Sequence, residues 1–181
     1  MKTDKKTRKT TTKKKSSTII LGIIAVFVIT MAVATGIKSN SKKEVLAKQP
    51  NTVVTAITNE NGDVIIPIAD LSETATFYSY DKLDTKIEFL AVKASDGTVR
   101  TAFNTCQVCY ASGRGYYVQK GDVLVCQNCG NVFEMDQVEK IKGGCNPIPI
   151  FEENKEVTES SIIIKSENFT EAESLFANWK N

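Results

Sequence analysis

The sequence predicts a mainly β (α+β) protein: one membrane-spanning helix near the amino terminus, a small β-rich domain carrying a cysteine ribbon, and a short carboxyl-terminal helix. Three observations carry this. Residues 18–37 form an apolar run without a single charge. From residue 52 onward, short stretches rich in Val, Ile and Thr are separated by Asn-Gly and Asp-Gly turn pairs, the pattern of hairpin-linked strands. All five cysteines fall between Cys106 and Cys145.

The charge is divided as sharply as the hydropathy. Residues 1–48 hold twelve Lys/Arg against two acids, a net +10, whereas residues 49–181 hold eleven against nineteen, a net −8. The basic charge therefore belongs to the amino-terminal segment, and the folded part offers no nucleic-acid surface. Residues 1–17 read as a disordered cytoplasmic tail, since a Lys/Thr-rich stretch cannot bury enough surface to fold. The twenty residues of the apolar run cover about 30 Å as a helix, the thickness of a bilayer core. Its basic flank marks the cytoplasmic side, placing the carboxyl-terminal domain outside the membrane. The competing reading is a cleaved signal peptide with Ala32-Val33-Ala34 as its processing site, but the run is long for that and the site lies inside it. Residues 38–51, polar and Lys-containing, read as a linker.

The β-rich domain is expected over residues 52–181. A first strand covers residues 52–58, Asn61-Gly62 supplies a hairpin turn, and residues 64–68 form the returning strand, with Pro67 at an edge or bulge. A strand over residues 75–80 follows. Residues 86–93 and 98–103 flank Asp96-Gly97, the clearest hairpin of the chain, and the second arm runs directly into Cys106. Between the cysteine pairs, residues 116–118 and 123–125 form a small hairpin around Lys120-Gly121. Residues 148–151 and 161–165 are short strands separated by an acidic loop. Thr170-Glu-Ala-Glu173 is a capping box that opens a helix with Ala172, Leu175, Phe176 and Trp179 on one face. Asp70, Glu73, Asp81, Asp84 and Glu88 are spaced like a solvated surface.

Chemistry concentrates in residues 99–150. Cys106-Gln-Val-Cys109 and Cys126-Gln-Asn-Cys129 have the spacing of a four-thiolate metal site, and Cys145 follows in a Gly-Gly-Cys-Asn-Pro turn. A C-x-x-C turn aims two sulfurs at one ion or cluster while its amides donate to the thiolates, and Gly130 suits the positive φ such a knuckle needs. The chain has no histidine, so thiolates are the only soft ligands, and histidine-based catalysis is excluded. No phosphate loop, nucleophile–base pair or paired carboxylate emerges, and enzymatic activity is not expected. Zinc, a single iron and an iron–sulfur cluster all suit four thiolates. Cys145 tilts the choice toward a cluster, because a structural zinc is saturated by four ligands. Two disulfides are the alternative in an oxidising compartment, although an odd cysteine would remain. Phe103, Tyr110, Tyr116, Tyr117 and Phe133 flank the site in sequence and are expected to serve mostly as core.

The words Val99-Arg-Thr-Ala-Phe-Asn-Thr-Cys106-Gln-Val-Cys109-Tyr110, Gly115-Tyr116, Gly121-Asp122, Val125-Cys126-Gln-Asn-Cys129-Gly-Asn-Val-Phe133 and Gly143-Gly-Cys145-Asn-Pro-Ile-Pro149 together resemble the FtrD-like membrane iron–sulfur proteins. The resemblance spans roughly residues 75–150. It implies an iron–sulfur cluster on Cys106, Cys109, Cys126 and Cys129, with Cys145 as a further cluster-binding candidate. It further implies a membrane-anchored electron carrier, working in some relatives beside a high-affinity iron permease. Many relatives carry several membrane spans, whereas this chain offers one. The expected function is electron transfer linked to iron transport, with an iron permease or another redox protein as partner. The alternative is a structural zinc ribbon in a binding module anchored at the cell surface.

Overall fold

The computed structural model describes residues 51–181. The basic tail, the candidate span over residues 18–37 and nearly all of the linker lie outside the described residues. Among those described, no helix is long and apolar enough to cross a membrane.

Three sheets make up the β-rich domain. The central one has five strands in the order β1 (Val53–Thr55), β4 (Thr76–Tyr80), β5 (Ile87–Lys93), β6 (Val99–Cys106) and β10 (Pro147–Pro149). β1 runs parallel to β4 and the other neighbours pair antiparallel. A second sheet orders β11 (Lys155–Val157), β12 (Ser161–Ile164), β3 (Val64–Pro67) and β2 (Ile57–Thr58). The third is the ribbon: β7 (Tyr117–Lys120), β8 (Val123–Cys126) and β9 (Val132–Glu134).

Side-chain alternation along the central strands decides what each face meets. Tyr78 and Tyr80 of β4, Ile87, Phe89 and Ala91 of β5, and Phe103 of β6 share a core with Val64, Ile66, Ile162 and Ile164 of the second sheet and with Phe169, Phe176 and Trp179 near the carboxyl terminus. The opposite face carries Phe77, Leu90, Val92, Ala102 and Cys106, which pack with Tyr117, Leu124, Cys126, Phe133 and Met135 of the ribbon region. Because both faces are covered, β5 is buried from Ile87 to Val92 without a break, and its sequence reads as a nearly continuous apolar run. The same alternation turns Cys106 toward the ribbon.

The Asp96-Gly97 hairpin forms as expected. Lys93 pairs with Val99, Gly97 has φ +83°, and Asp96 Oδ1 accepts from the Thr98 amide at 3.0 Å. The expected first strand instead divides at Ala56. Its first half joins the central sheet, where Ala56 still donates its N–H to Ser79 O, and its second half joins the four-stranded one. The Asn61-Gly62 turn is a longer loop, with Thr58 opposite Val64 and Asn59 Oδ1 accepting from the amides of Asn61 and Asp63. Pro67 ends β3 beyond the reach of β2, so its missing N–H interrupts no pairing there. The sequence reading lacks β9 and β11, each three residues long.

The helix differs in its start. α1 covers Ser166–Ala172, followed by a 3-10 turn over Glu173–Phe176, so Thr170 lies inside the helix and is not its cap. The first-turn amide of Ser166 donates instead to Asp63 Oδ1 at 3.1 Å, a carboxylate a hundred residues away. Glu88, read as a surface acid, is only 2% exposed. It accepts from Asn104 Nδ2 at 2.6 Å and from Lys180 Nζ at 3.2 Å, which compensates the burial of its charge.

Candidate metal centre

Besides the shared apolar core, two amide side chains tie the ribbon to the rest of the domain. Asn104, one turn of the pleat before Cys106, accepts the Tyr117 N–H at 2.8 Å and donates to Tyr117 O at 3.2 Å. Gln119 accepts from the Ala75 amide at 2.9 Å. The ribbon's edge strand is thus held by side chains where no neighbouring strand is available. Between the first knuckle and β7 the chain doubles back tightly. A Cβ on Gly115 would lie 2.6 Å from the backbone of Cys109, so only glycine allows this approach.

The first knuckle joins the end of β6 to a 3-10 turn at Tyr110–Ser112, and the second joins β8 to β9. In the first, the Cys109 amide donates to Cys106 Sγ at 3.3 Å. In the second, Gly130 takes φ +75° and returns its N–H to Cys126 O at 2.9 Å, the conformation expected of that glycine. Cys106 and Cys126 are buried, Cys109 and Cys145 half-buried, and Cys129 exposed.

All five sequence-predicted cysteines converge. The sulfurs of Cys106, Cys109, Cys126 and Cys145 lie within 4.8 Å of one another. Cys145 Sγ stands 3.4 Å from Cys106 Sγ, 3.6 Å from Cys109 Sγ and 2.9 Å from Cys129 Sγ. None of the five is in a disulfide, and the closest pair is well beyond the bonded S–S distance of about 2.05 Å.

The thiols are not equivalent electrostatically. Burial pushes Cys106 up, but hydrogen bonds led by that of the Cys109 amide outweigh it and hold the thiol below its ordinary value. Burial raises Cys126 to about 11. Cys129 is lowered to about 7, first by its hydrogen bond with Cys145 and then by the Asn131 amide. Cys145 is pushed up by burial and by the thiols around it.

The donor set suits a soft or borderline metal, since the converging groups are thiols. A tetrahedral ion with metal–sulfur bonds of about 2.3 Å separates its sulfurs by about 3.8 Å, close to the 3.4 and 3.6 Å from Cys145 to Cys106 and Cys109 and wider than the 2.9 Å to Cys129. A multi-iron cluster, widened by its own sulfide, needs the thiolates further apart. The set is open to widening on its solvent side, where Cys129, Gly143 and Gly144 are exposed. A buried donor also waits there: Gln107 Nε2 has no acceptor among the described residues. Iron held by thiolates therefore fits the residues present.

Sequence reasoning singled out the ligands but not the groups that orient them. Tyr117 Oη and Asn131 Nδ2 both donate to Cys145 O, at 2.7 and 2.9 Å. Gln107 Oε1 accepts from the Gly143 amide at 2.9 Å. The only available signal was position, since Gln107 and Asn131 sit inside or just after the two knuckles. Of the aromatics, Tyr117 and Phe133 pack beside the cysteines, Phe103 lies in the opposite core, and Tyr110 is exposed.

No curated protein and no solved structure shows a significant match to this chain. The model of one family does match, that of membrane iron–sulfur containing FtrD-like proteins, over residues 71–176. The matched stretch contains both knuckles, the Cys145 turn and four of the five strands of the central sheet, and extends past the cysteine-rich words through α1. Covering more than half of the 181 residues, it shows that the chain belongs to the FtrD-like family of membrane iron–sulfur containing proteins.

Proposed function

We propose that this protein is a membrane-anchored iron–sulfur protein that carries single electrons outside the cytoplasm, in a process linked to iron transport. The observation that carries the reading is the convergence of five thiols, within a family described as membrane iron–sulfur proteins. Thiolate-bound iron supplies a one-electron couple. The chain's own residues hold and tune it. Cys106, Cys109, Cys126 and Cys145 bring their thiols together with Cys129 at the solvent edge, the Cys109 amide lowers the charge density on Cys106, and Leu124, Phe133 and Met135 exclude water on the core side. The solvent-side position of Cys129 leaves one edge within reach of a redox partner, an iron permease component or another electron carrier.

Residues 18–37 serve as the single-pass anchor, with residues 1–17 in the cytoplasm and the β-rich domain outside. A protein exported as reduced thiols needs protection from oxidation, and a bound metal supplies it. No enzymatic step and no nucleic-acid partner belong to this reading. The compact sulfur spacing favours one second reading, a structural zinc ribbon in a surface-anchored binding module. Redox titration of the full-length chain, purified anaerobically in detergent, separates them. A reversible one-electron change in visible absorption supports the electron carrier. A colourless protein that takes up no electron refutes it.

A further inference from the structure

Five thiols converge where one tetrahedral ion takes four, and the two C-x-x-C pairs alone would assign Cys145 as the surplus. The geometry points elsewhere. Cys145 Sγ is in contact with the sulfurs of Cys106, Cys109 and Cys129 at once. Its loop is latched from both knuckles. Tyr117 Oη and Asn131 Nδ2 converge on the Cys145 carbonyl, while Gln107 accepts from the Gly143 amide and donates its own N–H to Asn146 O at 3.1 Å. Gly143 and Gly144, at φ +91° and +77°, permit the turn that brings this sulfur inward. A bystander thiol needs no such positioning. Cys129, by contrast, stands at the exposed tip of the second knuckle and meets Cys145 at 2.9 Å.

We propose that Cys145 completes a resident four-thiolate set with Cys106, Cys109 and Cys126, and that Cys129 is a loading thiolate. It takes an incoming soft or borderline divalent ion on the solvent side and passes it to Cys145. The passage is a ligand exchange: the metal–sulfur bond to Cys129 breaks as the bond to Cys145 forms, the Cys145 thiol proton leaves to water, and no electron moves. The short gap between the two sulfurs lets the ion transfer without rearranging either knuckle. This rests on the reading of the cysteine cluster as a metal site and concerns the entry of a single ion, not of a preformed cluster.

The test uses Co2+ alone as the probe, added anaerobically to the reduced full-length chain in detergent. Cys129→Ser is expected to reach the wild-type four-thiolate cobalt spectrum, severalfold more slowly. Cys145→Ser is expected to lose that spectrum, giving weaker bands of a mixed sulfur–oxygen set. Iodoacetamide on the cobalt-loaded wild type, which needs no variant to fold, should label Cys129 alone. Loss of the four-thiolate spectrum in Cys129→Ser, its retention in Cys145→Ser, or labelling of Cys145 in the loaded protein would overturn the assignment. Absence of any cobalt binding by the wild type would overturn the metal-site reading and this one with it.

Discussion

Asn104 ties the strand that ends in Cys106 to the ribbon that carries the second cysteine pair. It bridges three buried groups: the Tyr117 N–H, the Tyr117 carbonyl and the Glu88 carboxylate. Replacing it with alanine leaves both Tyr117 backbone groups without partners inside the protein, whereas Glu88 keeps Lys180. Each of the two orphaned buried groups costs about 1–3 kcal/mol, so Asn104→Ala should lose roughly 2–6 kcal/mol, out of a total stability of about 5–15 kcal/mol for a domain of this kind. The effect should reach the metal as well. Tyr117 is the residue whose hydroxyl holds the Cys145 turn, and loss of such outer support lowers metal affinity by about 10- to 100-fold. Urea unfolding of the full-length chain in detergent, with linear extrapolation, measures the first effect, and competition with a chelator measures the second. Asn104→Asp should do no better, since it turns a second carboxylate toward Glu88. A loss below about 1 kcal/mol with unchanged metal affinity would refute the idea that Asn104 ties the ribbon to the sheet.

Phe169 is fully buried and its ring meets those of Tyr80, Phe89 and Phe103 at centroid distances of 4.0, 5.2 and 5.7 Å. Phe169→Ala should cost about 3–5 kcal/mol in the same urea experiment while leaving the thiol cluster, on the other face of the sheet, spectroscopically unchanged. Asp63 is held below its ordinary value of 3.8, first by the Ser166 amide and then by Asn59. A carboxylate depressed on folding stabilises above its unfolded pKa and loses that contribution as pH falls through the lower folded value. Asp63→Ala should therefore be destabilised by about 1–2 kcal/mol near pH 6, and its difference from the wild type should shrink as pH is taken below 3.8.

The ribbon was legible in the sequence because its signals are local. A C-x-x-C pair, a following glycine and an Asp-Gly turn each fix their own few residues, and Gly97 and Gly130 took the positive φ that such turns require. The elements misread are those decided at a distance. The start of α1 is set by Asp63 across the fold, which outweighs the capping box four residues further on. Glu88 is buried because Asn104 and Lys180, far apart in sequence, meet it. The strand over residues 53–58 breaks because its halves serve different sheets. Charge spacing, propensity and capping patterns see only neighbours along the chain, so none of these was visible. The role of Cys145 belongs to the same class, since a lone cysteine sixteen residues beyond the second pair acquires meaning only when the fold sets it among the others.

Metal and acid-labile sulfide analysis of the full-length chain, purified anaerobically without added metal, tests the central claim most directly. Iron bound in stoichiometric amount, with thiolate-to-iron charge-transfer absorption that disappears when Cys106 and Cys126 are replaced by serine, is the expected result. One zinc per chain, no iron and no visible absorption would contradict it.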